Sequence, residues 1–451
     1  MNVSSVSSFL KKPVFLIVTS ALLIRLILMP LLTYDYDIYH WGLIISNIDS
    51  GNNLYNLDGY YYTPVWGYLL GFVSTIQQFL VNIGPTGIRF TELLGIENLE
   101  YPYHTATITS IAFNICMKIP LVLCDFAVGY LIYWLIKDRT GSSKKATYGL
   151  AFWLFCPIVI YMSGIQAMFD TFAALFLLLT VIMFYKDRCF IGGVLFAMAV
   201  LLKFFPAFCI FVLLAYVVAK HRGHGLAKRK FLESVLGMMT MSAILMLPLI
   251  LNGQLGIAFS FVFGRTGDAG FLTMMFLVVN AAIALLCAVF FGYKMFRSSA
   301  NNADESMFLY VLFTVAAATL ISITPQYVIV IMPLLILLMV GSDKSYLKCW
   351  VIISVSAFFG AFILNNYSLF AALAGYTTFV SPDWLISGMQ FLESGTPINL
   401  ASDLAFVSAV VQYAGILLLI IFGLSEIINE KVPKLGRIVV RIKKWRVDNE
   451  A

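Results

Sequence analysis

The sequence predicts an all-α, polytopic membrane protein, and two observations predict it. Apolar runs of about 17–25 residues, the length a bilayer core requires, recur along the chain. Of its 451 residues, 61% are hydrophobic and only 12% charged, against about 25% charged in soluble domains; mean hydropathy is +0.91. A transmembrane β-barrel would show alternating segments of about ten residues, and none occur.

Lys and Arg mark the cytoplasmic side of short loops. Basic loops lie at 137–147, 186–188, 220–230, 294–297 and 344–348, and the tail is basic too. Loops 34–63 and 366–402 hold no Lys or Arg, and 84–104 and 253–270 hold one Arg each, so these four face outside. The net charge of +6 then belongs to a membrane surface, not to nucleic acid.

In chain order, 13–33 is apolar but for Arg25 and has no small-residue cleavage site, so it is a retained first helix. Helices follow at 107–136, 148–163, 170–185, 231–252, 271–293, 307–322, 324–340, 349–365 and 403–424, with Asp304 a candidate N-cap for the helix after "NNADESMF". Two segments break the alternation. Run 64–83 has outside-like loops on both flanks and reads as re-entrant or interfacial; run 190–219 lies between basic loops, with "LLKFFP" in its middle. Two half-length helices meeting near Lys203 and Pro206 resolve the parity, since proline ends a helix and frees backbone groups that only protein or water can cover. The total is about 11–13 transmembrane helices in one integral-membrane domain: a module over 13–340, further helices over 341–424, and a basic tail over 425–451.

Seven cysteines stand in or beside apolar runs without CxxC spacing, so neither disulfides nor zinc are expected. His221 and His224 fall in a basic loop and read as solvated. No P-loop or GxGxxG occurs.

The chemistry concentrates in "TYDYDIYHWG" (33–42), placed outside at the membrane surface. On an extended segment Asp35 and Asp37 face the same way, and a carboxylate there can act as a general base; a solvated helix end is the plainer alternative. His40 and Trp41 adjoin the pair, although Trp is ordinary at membrane interfaces. An amphipathic stretch ending at Gly51 follows, then "YYYTP" leading into 64–83.

Together these features resemble the GT-C glycosyltransferases, and within them the catalytic subunits of GPI mannosyltransferase I and their prokaryotic relatives. The matching positions are Asp35 and Asp37, Gly51 sixteen residues after the first acid, Tyr55 four further on, and Tyr62-Thr63-Pro64 before Gly67–Leu70. "KIPLVLCDFAVGYLIYWL" (118–135), "YGLAFWLFCPIVIYMS" (148–163), "FAMAVLLKFFP" (196–206) and "TPQYVIVIMPLL" (324–335) extend the likeness over roughly 13–340. Departures are Cys156-Pro157 in place of Asn-Pro, and Gln166 four residues before Asp170 where the family often has two. The resemblance implies an inverting transfer of a sugar, in first place mannose, from a polyprenyl-phosphate donor to a lipid-linked or glycan acceptor on the outer face. It implies Asp35 as base with Asp37 as partner, and a small membrane partner subunit. The expected setting is a prokaryotic plasma membrane rather than the endoplasmic reticulum. No cofactor is required; a divalent metal bridging Asp35 and Asp37 is conceivable.

Charges inside apolar runs are the second signal, since each costs about 2.5–3.5 kcal/mol to insert at a helix centre. Lys203, at the presumed apex of two half-helices, is a candidate for the donor phosphate, whose charge grows as the glycosidic bond breaks; a structural ion pair is the alternative. Arg265, in a glycine-flanked outer loop, is a second phosphate candidate, and Gln326 and Tyr327 in "TPQY" are further donor contacts. Tyr62, Lys118, Asp125 and Asp170 are candidates for lining the cavity, with an Arg25 partner the alternative for Asp125. A transporter or lipid flippase is the competing class, because broken helices and buried charges occur there too.

Overall fold

The computed structural model describes residues 13–56, 60, 62–83, 97–100, 105–223, 225–257, 271–322, 324–341, 344–364, 369–381, 383–384, 387–388 and 400–428. Over these the chain is helical but for one antiparallel pair of short strands, β1 (Glu97–Glu100) and β2 (Thr105–Ile108), with Glu97 opposite Ile108. The helix expected from 107 therefore starts later. Ser110 caps it, its Oγ accepting from the Phe113 amide at 3.2 Å, while β-branched Thr105, Thr107 and Ile108 suit the strand.

Helix α1 spans Pro13–Leu28, α2 Asp35–Asp49 and α3 Pro64–Ile83. α4 (Ile111–Thr140) ends at Gly141, left-handed at φ 68°, with Lys137 and Arg139 in its last turn, where the helix dipole favours cations. Where one helix was expected over 148–163, there are α5 (Ser143–Leu154) and α6 (Pro157–Tyr161), continued by a π-turn at Met162–Gln166 and bent by 49°. Pro157 cannot continue the preceding ladder. Then follow α7 (Asp170–Tyr185), α8 (Cys189–Leu202), a 3-10 turn at Phe205–Cys209, and α9 (Ile210–His221). The break in 190–219 thus falls at Lys203–Pro206, as the proline demands. The remaining helices are α10 (Ala227–Leu251), α11 (Phe271–Arg297), α12 (Ala303–Thr319), α13 (Met332–Gly341), α14 (Lys344–Leu364), α15 (Ala371–Tyr376) and α16 (Leu400–Ile428).

Five of these are long and apolar enough to cross a bilayer, over 111–140, 227–251, 273–297, 346–364 and 400–425; a sixth arises if the bent α5–α6 pair is one span. The chain is a multi-pass, all-α membrane protein. The larger expected number differs because α1, α7, α8, 205–221 and α13 are apolar but only 10–17 residues long, roughly 15–25 Å at 1.5 Å per residue. Segment 64–83 is one unbroken helix, not a loop that enters and returns. It buries Trp66, Leu70 and Val73 against α2 and α8.

α12 lies at the centre, with every residue from Ser306 to Thr319 buried, as suits a helix apolar on all sides. Its expected cap, Asp304, lies inside the first turn instead. Asp304 accepts from Tyr216 Oη at 2.6 Å and Lys220 Nζ at 2.9 Å, and Asn302 holds the cap position. α8 and α10 cross closely at two glycines: a Cβ on Gly193 would strike the Ser234 carbonyl, and one on Gly237 the Phe190 carbonyl. Small residues let membrane helices approach in this way.

Candidate functional site: an acid, a lysine and an aromatic wall

α2 begins at Asp35 itself, so the two acids lie on a helix and not on an extended strand. Two positions on a helix are about 200° apart, so 35 and 37 do not share a face, contrary to expectation. Asp37 shares its side with Trp41 four residues on, and Trp41 is buried with Ile38, Ile44 and Ile45. The Asp35 side chain lies outside the described ones. Gln166 Nε2 donates to Asp37 Oδ2 at 2.8 Å. The π-turn presents Gln166 there, and it closes through Ala167 at φ 60°; such single turns often mark functional sites. The other amide atom, Gln166 Oε1, is buried without a hydrogen-bond partner.

Four residues after Gln166, Asp170 opens α7, and its carboxylate lies 3.2 Å from Lys203 Nζ. Both side chains are buried. α7 and α8 each run between the basic loop at 186–188 and this pair, so Asp170 and Lys203 lie at the ends of their helices away from that loop. Lys203 is extended (φ −143°, ψ 134°), terminating α8. Its ammonium lies 4.3 Å from the Phe169 ring centre, 5.1 Å from Tyr327 and 5.9 Å from Tyr62, a desolvated aromatic setting in which each face attracts the cation by about 2 kcal/mol or less. The contact is a buried ion pair.

The wall continues from Phe169. Trp66 stacks on it at 4.6 Å and 19°, Trp41 meets Trp66 at 5.4 Å and Tyr62 at 5.8 Å, and His40 lies 5.5 Å from Trp41. Hydrogen bonds pin the loop that carries Tyr62. Tyr55 Oη donates to the Tyr62 carbonyl at 2.9 Å, Tyr60 Oη donates to the Thr63 carbonyl at 2.8 Å and accepts from the Gly67 amide at 2.7 Å. Thr63 Oγ1 donates to the Leu201 carbonyl, tying the loop to the end of α8. Burial pushes the Tyr55 and Tyr60 phenols well above their ordinary range, so both remain neutral donors. Gly51 turns the chain at φ 74°, a conformation glycine adopts without strain.

The structure therefore gathers Asp37, Tyr62, Asp170, Lys203 and Tyr327, with His40 and Trp41 beside them. Gln326 is half-buried in the 3-10 turn at Pro325–Val330. Lys118 and Asp125 belong elsewhere and do not line a cavity: both are wholly buried, and both serve α1. Lys118 Nζ donates to the Met29 and Leu32 carbonyls at 2.9 and 2.7 Å, taking up carbonyls a helix end leaves unpaired. Asp125 pairs with Arg25 at 3.0 Å and accepts from Ser163, while Arg25 also donates to the Leu154 carbonyl at 3.0 Å. Arg265 lies outside the described residues. Trp66 and Phe169 escaped the sequence reading because an aromatic in an apolar run carries no mark of the site, whereas Gln166 was visible in the sequence only by its spacing to Asp170. Compared with known proteins, the chain matches no family model and no curated protein significantly.

Proposed function

We propose that the protein is an inverting glycosyltransferase that moves a sugar, in first place mannose, from a polyprenyl-phosphate donor to a hydroxyl of a lipid-linked or glycan acceptor. The observation that carries this reading is the pairing of a positioned carboxylate with a buried lysine across one aromatic wall. Asp37, held by Gln166, takes the proton of the acceptor hydroxyl as its oxygen bonds to the anomeric carbon. The bond from that carbon to the phosphate oxygen breaks, and the polyprenyl phosphate leaves with the electron pair. Lys203 has three N–H donors and one partner acid, so it can hold Asp170 and offer a proton to the growing phosphate charge; such preorganised stabilisation is commonly the largest catalytic term. The aromatic faces exclude water and suit a sugar ring. Asp35 was the first-choice base on resemblance; the Gln166 contact favours Asp37. A lysine here serves the role a metal would serve on a diphosphate donor. On this reading the reaction runs on the face away from the basic loops, in a prokaryotic plasma membrane, with a small partner subunit as a further element.

Proteoliposomes given labelled polyprenyl-phosphate-mannose and a membrane lipid extract test the reading. Label should enter a new product with wild type and fall about 10²–10⁴-fold with Asp37→Asn, the usual weight of a general base, while Asp35→Asn separates the two acids. Label that crosses the bilayer unchanged would replace the enzyme with a flippase, a reading that the broken helices around Lys203 otherwise permit.

A further inference from the structure

A second cluster lies at the opposite, basic end of the same helices and has no part in the proposed transfer. Asp187 follows α7, Cys189 opens α8 and His221 closes α9. Their Oδ1, Sγ and Nε2 atoms all lie within 4.8 Å of one another. His221 was expected to be solvated in its basic loop, yet its side chain is nine-tenths buried. Its Nε2 lies 2.8 Å from Asp187 Oδ1 but outside hydrogen-bond geometry. His221 Nε2 is thus a buried ring nitrogen that no aligned hydrogen bond claims. The cysteine sulfur, 4.0 Å from the same Oδ1, closes the third side. Of the other charged groups at the cluster, Lys230 lies 3.6 Å from the second carboxylate oxygen, Asp187 Oδ2, and donates to the Asp187 carbonyl at 3.2 Å; Glu233 pairs with Lys230 at 3.2 Å. That is the outer support a ligating carboxylate usually has: one oxygen held, the other presented.

We propose that Asp187, Cys189 and His221 form a binding site for a borderline-soft divalent cation, Zn2+ before others, which staples the base of the α8–α9 hairpin. A mixed S, N, O donor set suits zinc over magnesium or calcium. Tetrahedral zinc with bonds of about 2.0–2.3 Å sets its ligand atoms about 3.3–3.7 Å apart, so the His221–Asp187 gap opens by roughly half an ångström and water supplies the fourth position. On binding, the Cys189 thiol gives its proton to solvent and the thiolate sulfur takes the metal. Because α8 and α9 meet at Lys203, the metal would hold the base of the hairpin whose tip forms the site above.

The test uses the full chain in detergent, stripped with a chelator and titrated with Co2+ and with Zn2+. A thiolate-to-cobalt charge-transfer band that saturates at one cobalt per chain, lost in Cys189→Ser and in His221→Ala, is the expected result, with Tm rising as zinc is added because the ligand binds only the folded state. Absence of the band in wild type, or an equal band in both variants, overturns the proposal and leaves an ion-pair cluster of His221, Asp187 and Lys230. Should the variants fail to accumulate, alkylation of Cys189 in wild type, read by mass spectrometry, decides the matter: zinc should protect the thiol, and equal labelling with and without zinc overturns the site. None of these readouts depends on glycosyl transfer.

Discussion

Removing Lys203 alone separates its two roles. The Lys203–Asp170 contact is 3.2 Å between side chains 7% and 0% exposed. At an effective dielectric near 20 its Coulomb attraction is about 5 kcal/mol, and the loss of water around both charges offsets most of it, so the pair's net value is small. Lys203→Met leaves Asp170 buried without its cation, which typically costs about 3–5 kcal/mol. At roughly 2.1 cal/mol/K of unfolding entropy per residue, a chain of 451 residues shifts by about 1 °C per kcal/mol, so the expected drop is about 3–5 °C in detergent melts. Asp170→Leu should cost a similar amount, and the double variant should recover to within about 1 °C of wild type, because replacing a buried ion pair by apolar groups is often neutral. Scanning fluorimetry and the fraction surviving heat on a sizing column measure this, with transfer assayed on the same samples. A double variant that is stable but transfers no sugar assigns Lys203 work beyond the pair. One that is stable and active makes Lys203 a brace and removes the phosphate contact. If both single variants melt with wild type, or the two losses merely add within about 0.5 kcal/mol, the buried-pair reasoning is wrong.

Three further outcomes are expected. Gly237→Ala places a methyl on the Phe190 carbonyl and its neighbours across the α8–α10 crossing, and such overpacking costs about 1–3 kcal/mol; an unchanged Tm would mean the helices do not cross this closely. Arg25→Met strands Asp125 and frees the Leu154 carbonyl, for a loss of about 3–5 kcal/mol that Arg25→Lys should not restore fully, since one ammonium cannot copy the guanidinium fork. Gln166→Glu sets a second carboxylate at Asp37; like charge disfavours ionisation, so the acid limb of the rate–pH profile should move to higher pH, whereas Gln166→Leu should lower the rate without moving the limb. An unshifted limb in the Glu variant would take Asp37 out of the proton transfer.

Sequence alone determined that this chain lives in a membrane and where most of its helices run, because an apolar stretch that must satisfy its own backbone in lipid has no option but helix. Pro206 likewise announced the break beside Lys203, and the acid Asp125 in an apolar run announced a buried partner, for which Arg25 was the named alternative and is the one found. What sequence could not decide was facing. A two-residue spacing puts Asp35 and Asp37 together on a strand and apart on a helix, and only the start of α2 at Asp35 settles which. Gln166 and Asp37 are 129 positions apart, and Asp187, Cys189 and His221 come from three helix ends. Such juxtapositions follow from the angles at which helices pack and bend, and those angles are set by many weak side-chain contacts at once rather than by any local run of residues.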